Sequence, residues 1–530
     1  MSSDRGLLRN PLVWVALAVG IALRSTGLFQ QLLLDDEIHA FNFSLKTPFP
    51  DVLWEISNVA NSPAFNVWLR VFLDLGIPPS ELALRIPVLA SGIALLVVAP
   101  WWLARQLGTG AAVVFVWLLA LSPLLVIYSR IMRPYMPEAL LASAAAGAFY
   151  TWFHTHRRAA GVAYALFASA TIYVVLVGAP FVLAPFVFLA VEAALRGRAV
   201  LPPRRDVVLV GAIVGGALLA FAAGAAHDML FLTARRQAPL TIDLEGAVTL
   251  ARRLIGTNAP SMVLALWVAA AAGAVHLARR APPLLRYLVL ICVAQVVGMV
   301  LLAPRNLHNP VILARYLIVL VVPVLMLVAL GLAALNPVRR LLAPVLIAAL
   351  FLTGPLADPE LYRSPFGVEP DVFRKRARRS RQLPPAYRVL STGPAGDVIE
   401  YPFPPSSRLL GPLTDYWAVH RRPMRIGPPS PGLDAARVGL RSIVADDPQR
   451  LLESEAAFLV VHGDWERELG RSLTAGVLQP RARWLIERNL AWMRGDAARL
   501  AEQLESSWGP PDARDDAVAI WDLTRVRAQR

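Results

Sequence analysis

Hydrophobic and polar positions divide the chain into two unequal parts. From residue 11 to about residue 356, apolar runs long enough to cross a hydrocarbon core of ~30 Å recur, separated by short polar stretches. The runs are continuous rather than alternating, which predicts helices and excludes a β-barrel. Eleven spans are expected, at 11–29, 83–105, 110–128, 136–154, 160–177, 180–196, 206–226, 261–278, 284–303, 316–335 and 338–356. The apolar stretch from Gly161 to Leu195 is too long for one span, and Gly178-Ala179-Pro180 supplies the break. Between the first two spans, Asp51–Gly76 interleaves Val52, Leu53, Ile56, Val59, Phe65, Trp68 and Phe72 with polar residues. That pattern predicts one or two helices, lying in the membrane interface or packed on the bundle.

After residue 357 the pattern changes. Pro-rich and charged segments alternate with short β-like runs at Asp397–Tyr401, Phe458–His462 and Ala517–Trp521, with a helical pattern over Trp484–Leu504. The predicted fold class is a polytopic α-helical membrane protein with about eleven transmembrane helices and a C-terminal α/β domain. Residues 1–356 form the membrane part, with a long first loop at 30–82, and residues 357–530 the soluble part.

Composition agrees. Hydrophobic residues make up 56% of the 530 and charged residues 17%, against ~25% charged in average soluble domains. The net charge of +15 does not signal nucleic acid, because much of it sits in short loops between spans. Cys292 is the only cysteine, so no internal disulfide forms. The first span follows Arg5 and Arg9, and no small-residue cleavage site follows it, which reads as a retained anchor.

Charge also sets sidedness. With the N-terminus inside, His154–Arg158, Arg196 to Arg205, Arg279-Arg280 and Arg339-Arg340 fall in loops on the cytoplasmic side. The opposite loops are longer and poorer in basic residues. They hold Leu34-Asp35-Asp36-Glu37-Ile38-His39, three carboxylates and an imidazole where the chain leaves the first span. Ionisable groups at a membrane boundary mark a functional site, although the same acids also suit a solvated helix start. An odd number of spans places the C-terminal domain outside as well. The run Arg374–Arg381 suits a solvated linker or anionic headgroups.

Other unusual residues fall on that outer side. The turn after the third span holds Arg130, Arg133, Tyr135 and Glu138, and the entrance to the tenth holds Arg305, His308, Arg315 and Tyr316. Guanidinium groups neutralise and chelate phosphate, and a carboxylate can take a proton from an incoming hydroxyl or amine. Arg133 and Arg315 each stand beside a Tyr at a span entrance and suit ligand contact or structural pairing equally. Arg252 and Arg253 suit snorkelling to headgroups. No HExxH, paired CxxC or Walker loop is present.

An apolar first span ending in Leu23-Arg24, then Asp36-Glu37 opening a long outer loop, resembles the GT-C membrane glycosyltransferases. The branch it is most similar to holds protein mannosyltransferases and aminoarabinose transferases. The Arg130-x-x-Arg133-Pro134-Tyr135 turn and the Arg315-Tyr316 entrance look similar too. The resemblance implies a bacterial inner-membrane enzyme using a polyprenyl-phosphate-linked sugar donor, with a lipid, glycan or protein acceptor on the periplasmic side. It implies a general base at Asp36, with Asp35 and Glu37 beside it and Glu138 as a displaced second acid. His39, Arg130, Arg133, Tyr135, Arg305, His308, Arg315 and Tyr316 are then the expected substrate contacts. A divalent cation is the only cofactor left open. The competing readings are a flippase of lipid-linked sugars, for which mid-span charges and an internal repeat are wanting, and a non-catalytic envelope assembly protein.

Overall fold

The computed structural model describes residues 6–26, 28, 37, 40, 43–44, 49–54, 62–75, 81–224, 243–302, 310–334, 339–353, 385–401, 422, 424–425, 451–452, 456–463 and 496–530. The expected apolar segments all coincide with helices: α1 (Pro11–Ser25), α3 (Glu81–Leu107), α4 (Thr109–Leu121) with α5 (Pro123–Tyr128), α6 (Tyr135–Thr155), α7 (Arg158–Val174), α8 (Ala179–Arg196), α9 (Arg204–Gly224), α11 (Pro260–Arg280), α12 (Pro282–Leu302), α14 (Val321–Ala334) and α15 (Arg339–Phe351). Between them lie further helices, among them α2 (Pro63–Asp74), α10 (Leu244–Ile255) and α13 (Pro310–Tyr316). Among the described residues, five helices are long and apolar enough to cross a membrane unaided, and shorter apolar ones accompany them. The chain is a multi-pass membrane protein.

Local sequence explains where these helices start and stop. Asn10 accepts a hydrogen bond from the Leu12 amide at 3.0 Å, and Pro11 occupies the first turn of α1. The span expected over 110–128 breaks in two at Ser122-Pro123, because proline offers no amide to continue the ladder. The break at Gly178-Ala179-Pro180 falls where the sequence predicts it: α7 ends at Val174 and α8 starts at Ala179. Helix α2 confirms part of the Asp51–Gly76 expectation, with Phe65, Leu69, Phe72 and Leu73 buried and Trp68 and Val71 exposed.

Helices α11 and α14 approach each other closely through glycine. A Cβ built on Gly331 would strike the Ala269 carbonyl oxygen, and one on Gly273 the Leu327 carbonyl. Only glycine lets the two backbones meet, the small-residue packing of membrane helices.

Beyond the bundle, β1 (Val398–Tyr401), β2 (Met424–Arg425), β3 (Phe458–His462), β4 (Ala513–Arg514) and β5 (Val518–Asp522) form one sheet in the order β2-β1-β3-β5-β4. Strands β2, β1 and β3 run parallel, and β5 is antiparallel to both β3 and β4. The three β-like runs of the sequence are the three longest strands. Ile399, Leu459 and Trp521 pack on Leu500, Leu504 and Trp508 of α16 (Asp496–Trp508). On the other sheet face, Glu400 is buried with its Oε2 accepting from Tyr387 at 2.7 Å and 2.6 Å from His462 Nε2.

Candidate active site

The ends of α1, α3, α5, α6, α7 and α8 meet on one face of the bundle around a cluster of buried polar side chains. The turn Ser129–Pro134, between α5 and α6, is at its centre. Ser129, Arg130 and Arg133 are all buried there. Buried guanidinium groups must find acceptors, and two of these arginines find helix ends. Arg24, fully buried in the last turn of α1, donates to the Leu119 carbonyl at 3.1 Å, the Ala120 carbonyl at 3.2 Å and Ser129 Oγ at 3.2 Å. It satisfies carbonyls that α4 leaves open before Pro123. In return, Arg130 Nη1 donates to the carbonyls of Leu23 (3.1 Å), Arg24 (3.2 Å) and Thr26 (2.7 Å) at the end of α1. Burial and the neighbouring Arg85 guanidinium pull Arg130 down to about 10. The arginine thus stays charged at neutral pH, and one of its nitrogens is engaged in holding α1 to the turn.

Glu37 ties the first loop to the same place. Arg85, near the start of α3, donates to it through Nε (2.8 Å) and Nη2 (2.6 Å), and the Met132 amide donates to Oε1. Both side chains of the pair are wholly buried. Three segments far apart in sequence therefore meet at one carboxylate. Arg85 carries no motif and is not among the residues singled out from the sequence; a buried Arg at the mouth of a span is the only sign it gives.

Tyrosines and a second arginine complete the cluster. Tyr135 packs edge-on to Tyr128 (5.2 Å between centroids) and to Tyr316 (5.5 Å). The Arg315 guanidinium lies 4.8 Å from the Tyr316 ring centroid and 5.5 Å from that of Tyr135, with Nη2 donating to the Tyr316 hydroxyl at 3.0 Å. Arg315 on α13 thus rests against a residue two positions from Arg133. Gln295, a buried mid-span amide of α12 that no sequence motif marks, holds this edge in place. It accepts from the Phe181 amide at 3.2 Å and donates to the carbonyls of Val177 (3.0 Å) and Tyr316 (3.3 Å).

Glu138, in the first turn of α6, is fully buried, and neither carboxyl oxygen has a hydrogen-bond partner among the described residues. It faces Gly178, where a Cβ would stand 2.7 Å from Oε1. Of the residues expected from the sequence, the structure gathers Glu37, Arg130, Arg133, Tyr135, Glu138, Arg315 and Tyr316 at this face. Asp35, Asp36, His39, Arg305 and His308 lie outside the described residues. Arg252 and Arg253 are half-buried in the last turn of α10. Among the described residues no group of three or more His, Cys, Asp or Glu side chains is placed to hold a metal ion.

No family model matches the chain, and no curated protein matches it. Solved structures do. ArnT from Cupriavidus metallidurans bound to undecaprenyl phosphate superposes with a TM-score of 0.53 at 17% identity, over 87% of this chain and 94% of that one. The apo state of the same protein gives 0.51 at 14% identity, covering 87% and 95%. The archaeal oligosaccharyltransferase AglB from Archaeoglobus fulgidus, in complex with an inhibitory peptide and a dolichol-phosphate, gives 0.52 at 12% identity, covering 90% and 72%. The fold is the GT-C membrane fold expected from the sequence.

Proposed function

We propose that this chain is an inverting glycosyltransferase of the bacterial inner membrane, moving a sugar from a polyprenyl-phosphate donor to a periplasmic lipid, glycan or protein acceptor. The observation that carries the reading is the convergence of Arg133, Tyr135, Arg315 and Tyr316 on a turn to which Glu37, the chain neighbour of Asp36, is clamped. Two fold neighbours, at low identity, hold polyprenyl phosphates: undecaprenyl phosphate in one, dolichol phosphate in the other.

In this mechanism Asp36, or Asp35 beside it, takes the proton from the acceptor hydroxyl or amine as that group attacks the anomeric carbon. The bond from that carbon to the phosphate oxygen breaks on the opposite face, with inversion. The electron pair leaves with the polyprenyl phosphate, whose charge Arg133 and Arg315 neutralise in a site poor in water. Glu37 positions the loop rather than reacting, because Arg85 and the Met132 amide already engage both of its oxygens. His39, Arg305 and His308 are assigned to the sugar and the acceptor. No step is routed through a divalent cation. Residues 357–530 are assigned to a periplasmic domain that covers the acceptor side.

The experiment supplies purified protein with polyprenyl-phosphate sugars and candidate acceptors and follows release of polyprenyl phosphate. Asp36→Asn is expected to abolish release while leaving donor binding and melting temperature near wild type. Near-normal transfer by that variant rejects the assignment of the base. A wild-type protein that moves the donor across vesicles without consuming it would instead establish the flippase reading.

A further inference from the structure

On the far side of the bundle from the candidate active site, α3, α6, α7, α12 and α14 enclose a cavity of about 420 Å³. Its wall is almost wholly apolar, and the polar atoms it contains are already satisfied. Ser143 donates to the Ala139 carbonyl at 2.6 Å, Thr151 to Gly147 at 2.7 Å, Trp102 Nε1 to Gly147 at 3.0 Å and Tyr287 to Ala146 at 3.3 Å. With its interior polar atoms already bonded and only Arg105 and Gln106 left at one end, the cavity suits an apolar guest. An engineered apolar cavity of ~150 Å³ stays dry and binds benzene, and this one is nearly three times larger.

Two further features identify the guest. The cavity opens sideways between Val98, Trp101 and Phe167, large side chains exposed on the outside of the bundle where acyl chains lie. At its end away from the candidate site the wall ends in Arg105 and Gln106, both exposed in the last turn of α3, with Arg105 stacked 3.7 Å above the Trp101 ring. Arg157 and Arg158 flank the same end, just before Ala160 of the wall. At the other end the cavity is lined by buried Phe181, whose amide is held by Gln295, itself donating to the Tyr316 carbonyl. The charged opening is therefore the one on the leaflet opposite the candidate site.

We propose that this cavity is a lipid site, taking one acyl chain of an anionic phospholipid from that leaflet, with the phosphate at Arg105 and Gln106. A polyprenyl phosphate whose headgroup sits at the candidate site would bring no charge to Arg105, at the opposite end. The site does not depend on the glycosyltransfer reading.

The test uses the full chain in phosphatidylcholine nanodiscs carrying increasing fractions of phosphatidylglycerol, with retained lipid counted by native mass spectrometry. Wild type is expected to hold one phosphatidylglycerol per chain. Arg105→Gln, a surface change, should weaken retention about fivefold, the loss expected for one basic residue at a charged lipid surface. Ala144→Phe, which fills the cavity, should remove the bound lipid without lowering the melting temperature of the lipid-free protein. If Ala144→Phe misfolds, Arg105→Gln decides alone. Equal retention of phosphatidylcholine, unchanged retention by Arg105→Gln, or displacement of the lipid by polyprenyl phosphate would each overturn the proposal.

Discussion

The Glu37–Arg85 pair is where the geometry of the candidate active site can be tested most sharply. Both side chains have no solvent exposure, and Arg85 holds the carboxylate through hydrogen bonds of 2.8 and 2.6 Å. Each charge-assisted bond contributes ~1.5–3 kcal/mol. Breaking a buried pair by removing one partner costs ~3–5 kcal/mol, chiefly because the other charge is left buried and alone. Arg85→Met strands Glu37, and Glu37→Gln strands Arg85 while leaving an oxygen for the Met132 amide. The double variant removes both charges and keeps that acceptor. It should therefore be more stable than Arg85→Met alone, with a coupling energy of ~2–3 kcal/mol. Unfolding in detergent, followed by tryptophan fluorescence, gives the three differences. The same proteins carried into the transfer assay separate clamp from chemistry: the double variant should regain most of the activity lost by the singles. Additive single effects would refute the clamp, and a stable but inactive double variant would give Glu37 a direct part in the reaction.

Further outcomes follow from the packing. Gly331→Leu should destabilise the bundle by more than ~3 kcal/mol, since its side chain enters the Ala269 backbone; Gly215→Ala, with nothing near its new methyl, should be neutral or gain up to ~1 kcal/mol in the same thermal melt. Arg24→Lys should be little better than Arg24→Met, because a single ammonium cannot reach the Leu119 and Ala120 carbonyls and Ser129 together; the comparison is read from yield and melting temperature. Arg315→Gln should weaken binding of polyprenyl phosphate at least tenfold by microscale thermophoresis while leaving the melt within a degree or two. Gln295→Leu should do both kinds of damage, orphaning the Phe181 amide and two carbonyls and loosening the segment that carries Arg315.

What the sequence made legible was whatever is encoded locally. Continuous apolar runs located the spans, Ala179-Pro180 located the break, and three β-rich runs located the main strands, because helix, strand and proline preferences act within a few residues. The break at Ser122-Pro123 is written in the sequence too, but the apolar run continues through it and hides it. The contacts across the bundle were not legible. Arg85 and Gln295 look like incidental polar residues in apolar spans, and only the fold shows that one meets a carboxylate 48 residues away and the other gathers backbone groups from two elements. Arg130 shows the same limit from the other direction. Its place in an Arg-x-x-Arg-Pro-Tyr turn points to a ligand contact, and only the fold shows that its Nη1 also holds the carbonyls that end α1.

That last assignment bears on how a phosphate would be held. A membrane site for a lipid phosphate must keep its guanidinium groups charged and aimed while surrounding them with apolar side chains, and an arginine that is both buried and mobile does neither. Here two arginines, Arg24 and Arg130, lock the ends of α1 and α4 to the Ser129–Pro134 turn, and Arg85 locks the first loop to it through Glu37. Arg133 and the stacked Arg315 are then presented from a rigid frame. The division of labour is testable in one comparison. Losing a frame arginine should lower melting temperature and activity together, whereas losing Arg133 or Arg315 should lower donor affinity with the melt nearly unchanged. If Arg133→Gln and Arg24→Met instead gave the same profile, the distinction between frame and phosphate-binding arginines would fall, and the proposed leaving-group contacts with it.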